Sequence, residues 1–180
     1  MKLLKIFLVA LILSGTLHSQ SIIINEIFNS SGNDEWIELL VVQDSLDVRN
    51  WDIRDFSSSG GTQQPLVFTT NSLWSNVKKG TIIIVARPEN TTLTEDLDAS
   101  DYLLIVKSSN ALYFSGNVFL FAAGSEAVQI RNGSDTHIFG VSWGAANANS
   151  IPSPKVHFST SATSNTSTFF KEDDVSELTS

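Results

Sequence analysis

From Ser21 onward the chain alternates between two textures that only strands and tight turns satisfy together. Apolar, β-branched runs begin with Ile22-Ile23-Ile24-Asn25-Glu26-Ile27-Phe28 and Glu35-Trp36-Ile37-Glu38-Leu39-Leu40-Val41-Val42, and the turn formers Asn29 to Asp34 lie between them. The same texture recurs at Val48 to Asp55, Leu66 to Thr69, Thr81 to Arg87, Tyr102 to Lys107, Val118 to Phe121, Ala127 to Asn132 and His137 to Trp143. No stretch repeats its apolar residues at helical spacing over several turns, so the helices needed to cover a parallel sheet are missing. An all-β sandwich of seven to nine strands is the expected architecture.

The first twenty residues stand apart from this pattern. Lys2 and Lys5 precede the apolar run Leu3 to Leu13, and Ser14-Gly15-Thr16 begin a small, polar exit. This is the order of a cleavable secretory signal, and the run is too short to span ~30 Å of hydrocarbon comfortably. The expected organisation is a signal peptide over 1–20, a sandwich over 21–145, and a Ser/Thr/Asn-rich tail or final edge strand over 146–180. Secretion to the periplasm or the extracellular space follows.

Charge and cysteine content remove several function classes. The 180 residues carry a net charge of −8, and without Lys2 and Lys5 nine basic residues face 19 acidic ones, which is −10. Such a surface repels phosphate, so direct nucleic-acid binding is not expected. With no Cys there is no thiol catalysis, cysteine-ligated zinc or disulfide framework, and the core alone must hold the domain.

Three patterns look like chemistry. Gly140-Val141-Ser142-Trp143-Gly144 matches the G-x-S-x-G of a hydrolase nucleophile elbow, but no Asp or Glu lies between Ser142 and His157, and alternation makes Ser142 an ordinary strand residue. His137 and His157 stand twenty positions apart without zinc-site spacing, and His137 is expected on a strand with its ring at the surface. The loop Glu95 to Asp101 gathers hard oxygen ligands, so Asp96, Asp98 and Asp101 are the candidate ligands for Ca²⁺, although the EF-hand spacing fails there. Glu35 and Glu38 are expected on opposite strand faces and so are poor partners for paired-carboxylate catalysis. Sequons at Asn29, Asn90, Asn132 and Asn165 fall in expected loops or the tail.

The order Ile24-Asn25-Glu26-Ile27, Glu35-Trp36-Ile37-Glu38-Leu39 and Val48-Arg49-Asn50-Trp51-Asp52-Ile53-Arg54-Asp55 resembles the lamin-tail domain in its bacterial, exported form. Gly80-Thr81-Ile82-Ile83-Ile84-Val85 is similar to that family's central strand. Gly124-Ser125-Glu126-Ala127-Val128-Gln129-Ile130, with Gly133, Val141 and Trp143, is similar to its closing strands, so the resemblance spans about residues 22 to 144. Leu40-Val41-Val42-Gln43-Asp44 departs from it where the family places an Asn-containing turn.

The resemblance implies an immunoglobulin-like β-sandwich with Trp36 or Trp51 between its sheets, and it carries over no catalytic residue. The function expected is a secreted, non-enzymatic binding or tethering module that presents the loops Ser57 to Pro65 and Pro88 to Asp101 to a protein, glycan or envelope partner. The alternatives are a calcium-stabilised adhesion domain, an accessory domain of an extracellular hydrolase, and a hydrolase using Ser142.

Overall fold

The computed structural model describes residues 20–29, 34–57, 59–122, 124–144 and 151–158, and the backbone strands Thr166–Phe169 and Leu178–Thr179. The expected secretory signal lies almost wholly outside the described residues. Among the described residues no helix is long and apolar enough to cross a membrane.

The expected all-β sandwich forms. Its strands are β1 (Ile22–Asn29), β2 (Trp36–Val41), β3 (Asp52–Phe56), β4 (Leu66–Phe68), β5 (Ile82–Ala86), β6 (Leu103–Lys107), β7 (Phe114–Gly116), β8 (Glu126–Arg131), β9 (His137–Trp143), β10 (Lys155–Phe158), β11 (Thr166–Phe169) and β12 (Leu178–Thr179). One sheet has the order β11-β1-β2-β5-β6, and the other β12-β10-β9-β8-β3-β4-β7. Pairing is antiparallel except for β5 with β6 and β9 with β10. A parallel neighbour demands a crossover, so residues 87–102 between β5 and β6 carry the chain back along the sandwich.

Period-two alternation supplies the core. Ile37, Leu39 and Val41 of β2 and Ile83 and Val85 of β5 are fully buried, in one cluster with Ile53, Val128, Ile130 and Val141 of the other sheet. Each such side chain contributes about 1.5–3 kcal/mol by leaving water. A bulge between Ile24 and Glu26 keeps both ends of β1 in phase, so that Ile22, Ile24 and Ile27 all point inward.

Several local expectations are corrected. Trp36 and Trp51 are only half-buried: Trp36 lies on the outward side of β2 and stacks on Phe28 at 5.7 Å, and Trp51 precedes β3. Trp74 and Trp143 are the core indoles, 0% and 2% exposed. Trp74 packs edge-on to Phe68 and donates Nε1–H to the Tyr113 carbonyl at 2.9 Å. The strand expected from Val48 starts only at Asp52, because Asn50 has φ +61° and Trp51 N–H turns back to the Val48 carbonyl. Val118 to Phe121 forms no strand, and the Leu120 and Phe121 amides are bound by the Asp55 and Glu35 side chains rather than by a ladder. Within the expected tail, Lys155–Phe158 extends the second sheet beside β9.

The indole assignment predicts unequal costs of truncation. Trp74→Ala should destabilise the domain by about 3–5 kcal/mol, and Trp36→Ala by less than about half of that. Urea unfolding monitored by circular dichroism checks the ranking, and equal losses would contradict it.

Candidate functional site

The acidic loop belongs to a fixed crossover. Asn90 is 2% exposed; its Oδ1 accepts from the amides of Thr92 and Leu93, and its Nδ2 donates to the Asp34 carbonyl. Lys107 Nζ donates to the Asn90 carbonyl. Asp96 and Ile105 exchange two backbone hydrogen bonds of 2.9 and 2.8 Å, which pairs the loop to the edge strand β6.

Within that loop the three candidate calcium ligands do not converge. Asp96 Oδ1 accepts from the Asp98 amide, Asp98 Oδ1 from the Ser100 amide and Asp101 Oδ1 from the Leu103 amide, each at 3.0 Å. Each carboxylate thus closes its own Asx turn, which for Asp98 holds the pKa below the ordinary aspartate value. Among the described residues no group of three or more His, Asp or Glu side chains could hold a metal ion. The sequence brought the aspartates together along the chain, but turn formation points one oxygen of each back at the backbone.

Ser142 and His157 do meet. Register places them opposite each other on the parallel strands β9 and β10, with Ser142 Oγ 2.9 Å from His157 Nδ1. Ser142 is 0% exposed, however, and it sits within a regular strand rather than on a strand-to-helix elbow. Among the described residues no carboxylate is hydrogen-bonded to His157. The pair pins β10 to the sheet.

His137 corrects its expectation, being half-buried rather than at the surface. Its Nε2–H donates to the Pro154 carbonyl at 2.9 Å while Nδ1 receives Gln129 Nε2–H at 2.8 Å, and burial holds its pKa below the ordinary value. Two sequon asparagines are likewise structural rather than exposed: Asn29 and Asn90 are each 2% exposed.

The densest electrostatic feature was not foreseen. Glu35 lies just before β2, Asp55 is in β3 and Glu126 starts β8; they are 1%, 4% and 1% exposed. Successive amides of one extended segment bind to them: Leu120 N–H to Asp55 Oδ2 at 3.1 Å, Phe121 N–H to Glu35 Oε2 at 3.2 Å and Ala122 N–H to Glu126 Oε2 at 3.0 Å. Arg87 Nη1 donates to the Phe119 carbonyl at 2.7 Å and stands 3.7 Å from Glu35. Trp143 Nε1–H and Asn29 Nδ2–H both reach the Ala122 carbonyl. Phe119 and Phe121 stack at 4.8 Å inside this closure.

Burial pushes Glu35 and Glu126 up to about 7 and raises Asp55, against the lowering effect of the amides and, for Glu35 and Asp55, of Arg87. Acidic residues beside apolar runs at three separate places were the available signal, but nothing in one sequence tells that they converge.

A cleft of about 290 Å³ opens elsewhere, beside the crossover loop. Leu73, Val77 and Leu104 form its apolar wall, and Lys78, Asp98 and Ser100 supply polar groups. Tyr102, next to the 3-10 turn Ala99–Asp101, is 45% exposed and holds a left-handed backbone at φ +68°. Such a conformation is unusual for a bulky residue and presents the ring beneath Lys78, whose Nζ lies 5.4 Å from the ring centroid.

No family model, curated protein or solved structure matches this chain.

The buried carboxyls set a pH dependence with a definite sign. A carboxyl titrating near 4.5 when unfolded and near 7 when folded adds stability that is complete below 4.5 and is lost as pH rises through 7. His137, lowered by burial, works in the opposite sense on the acid side. Melting between about pH 5 and pH 8 should therefore show a falling midpoint, and Glu126→Gln should flatten that fall. Millimolar Ca²⁺ should leave the midpoint unchanged, because three self-capped aspartates offer no differential binding to the folded state.

Proposed function

We propose that the chain is a secreted, non-catalytic binding or tethering module of lamin-tail type. The observation that carries the binding role is the cleft with an apolar wall and a few polar groups, one of them Lys78, which stands over the exposed Tyr102 ring held in a costly backbone conformation. Recognition there rests on a rigid scaffold, since the loop Pro88 to Asp101 is pinned at Asn90 and Asp96. The residues that carry the lamin-tail resemblance fall on strands, with Asn25, Trp36, Ile53, Ile84, Ile130 and Val141 on β1, β2, β3, β5, β8 and β9. A full burial of Ser142 in a regular strand favours binding over hydrolysis.

Pinning changes which experiment is informative. Excising Pro88 to Asp101 would remove the Asn90 and Asp96 contacts and so unfold part of the first sheet, whereas Lys78→Ala removes one lining side chain and Tyr102→Ala the ring against it. In a thermal-shift screen against neutral disaccharides and short peptides, one class should raise the melting midpoint of the wild type, and Tyr102→Ala should abolish that rise without lowering its own midpoint by more than a few degrees. Ester hydrolysis that disappears in Ser142→Ala would overturn the non-catalytic reading.

A further inference from the structure

The β11-β1-β2-β5-β6 sheet carries apolar side chains on both faces. On the outer face Ile23, Leu40, Ile82 and Leu103 form one continuous row across four strands by register. The next row is Glu26, Glu38, Ile84 and Ile105, and Phe28 stacked on Trp36 lies beyond it. All are half-buried, on the opposite side of their strands from the inward residues Ile37, Leu39, Ile83, Val85 and Leu104. A strand solvated on one side alternates apolar with polar residues; Ile82–Ala86 and Leu103–Val106 are unbroken apolar runs, the pattern of strands covered on both faces. No described helix or strand lies on that outer face.

Two like charges sit within it. Glu26 and Glu38 are directly opposite on adjacent strands, an arrangement that destabilises a sheet, and Asn25 Nδ2 donates to Glu38 Oε1 at 2.6 Å. Partial burial, and then the Glu38 charge, raises the Glu26 pKa.

We propose that this face docks a protein partner that lays an apolar strip over Leu40, Ile82 and Ile84 and places a lysine or arginine between Glu26 and Glu38. The proposal rests on the binding-module reading and names a second surface for it, the outer face of the first sheet. A second copy of this chain is the wrong occupant: face-to-face association would bring more carboxylates to the same pair, on a chain whose net charge is already −8. An anionic lipid surface is disfavoured by the same charge.

The test uses a random peptide library displayed on phage as the probe, selected on the immobilised protein. Enriched peptides should share one basic residue flanked by aliphatic or aromatic residues, and their affinity should fall by about tenfold or more in Glu38→Lys and on raising salt. Glu26→Gln, a milder change on the same outward side, should weaken binding in the same direction, while Tyr102→Ala should leave it intact. The proposal is overturned if no peptide is enriched, if the enriched set lacks a basic residue, or if Glu38→Lys binds as well as wild type. Peptides lost in Tyr102→Ala but retained in Glu38→Lys would sink the sheet face and leave the cleft standing. Sedimentation showing self-association through this face, or binding to zwitterionic vesicles that Ile84→Lys abolishes, would overturn the protein-partner assignment.

Discussion

Every buried amide must find an acceptor, and at one end of this sandwich the acceptors are carboxylates rather than a neighbouring strand. The segment around Phe119–Ala122 crosses between the sheets with no ladder of its own, so Asp55, Glu35 and Glu126 each take one of its N–H groups. The stacked rings of Phe119 and Phe121 can then enter the core, where Phe121 meets Trp143 edge-on at 5.9 Å. The cost is a concentration of negative charge in a dry place. Arg87 offsets part of it, and the upward displacement of all three carboxyl pKa values reports the remainder.

A second constraint comes from the parallel pairs. Joining β5 to β6 in parallel forces the chain out of the sheet and back, and the returning loop would leave the edge of β6 open if it floated free. It is tied down instead, by the Asn90 side chain beneath it and the Asp96 bridge along it. The 3-10 turn at its end turns Tyr102 outward. Thus the same topological demand that closes the edge also builds the rim of the cleft. At the other parallel pair, Ile151 fits against Gly140, where a Cβ would lie 2.3 Å from Ile151 Cδ1, and the Ser142–His157 contact fastens β10 beyond it.

The strands were largely legible because alternation and turn formers act locally. β1, β2, β5, β6, β8 and β9 all fall where β-branched runs stand between polar clusters. Val118 to Phe121 misled for a physical reason: its apolar residues are needed in the core, but its hydrogen bonds are supplied from Glu35 and Asp55, far away in sequence. The indoles misled similarly, since Trp36 has the composition of a core residue and the parity of a surface one. In the candidate sites, sequence proximity suggested that Asp96, Asp98 and Asp101 act together, whereas one oxygen of each accepts from the amide two residues further on. Ser142 and His157, which the sequence separates by fifteen positions with no acid between them, are cross-strand neighbours.

The sequence by itself determined that this chain forms strands, that those strands stack as a cysteine-free sandwich, and that the surface is acidic, because periodicity, turn chemistry and charge are properties of neighbouring residues. Only the tertiary structure decided which carboxylates are buried together, which tryptophans fill the core, and which apolar sheet face is left without a described layer over it. Those outcomes depend on strand order and register, and a shift of one residue would exchange the inner and outer side chains of a strand without changing its composition.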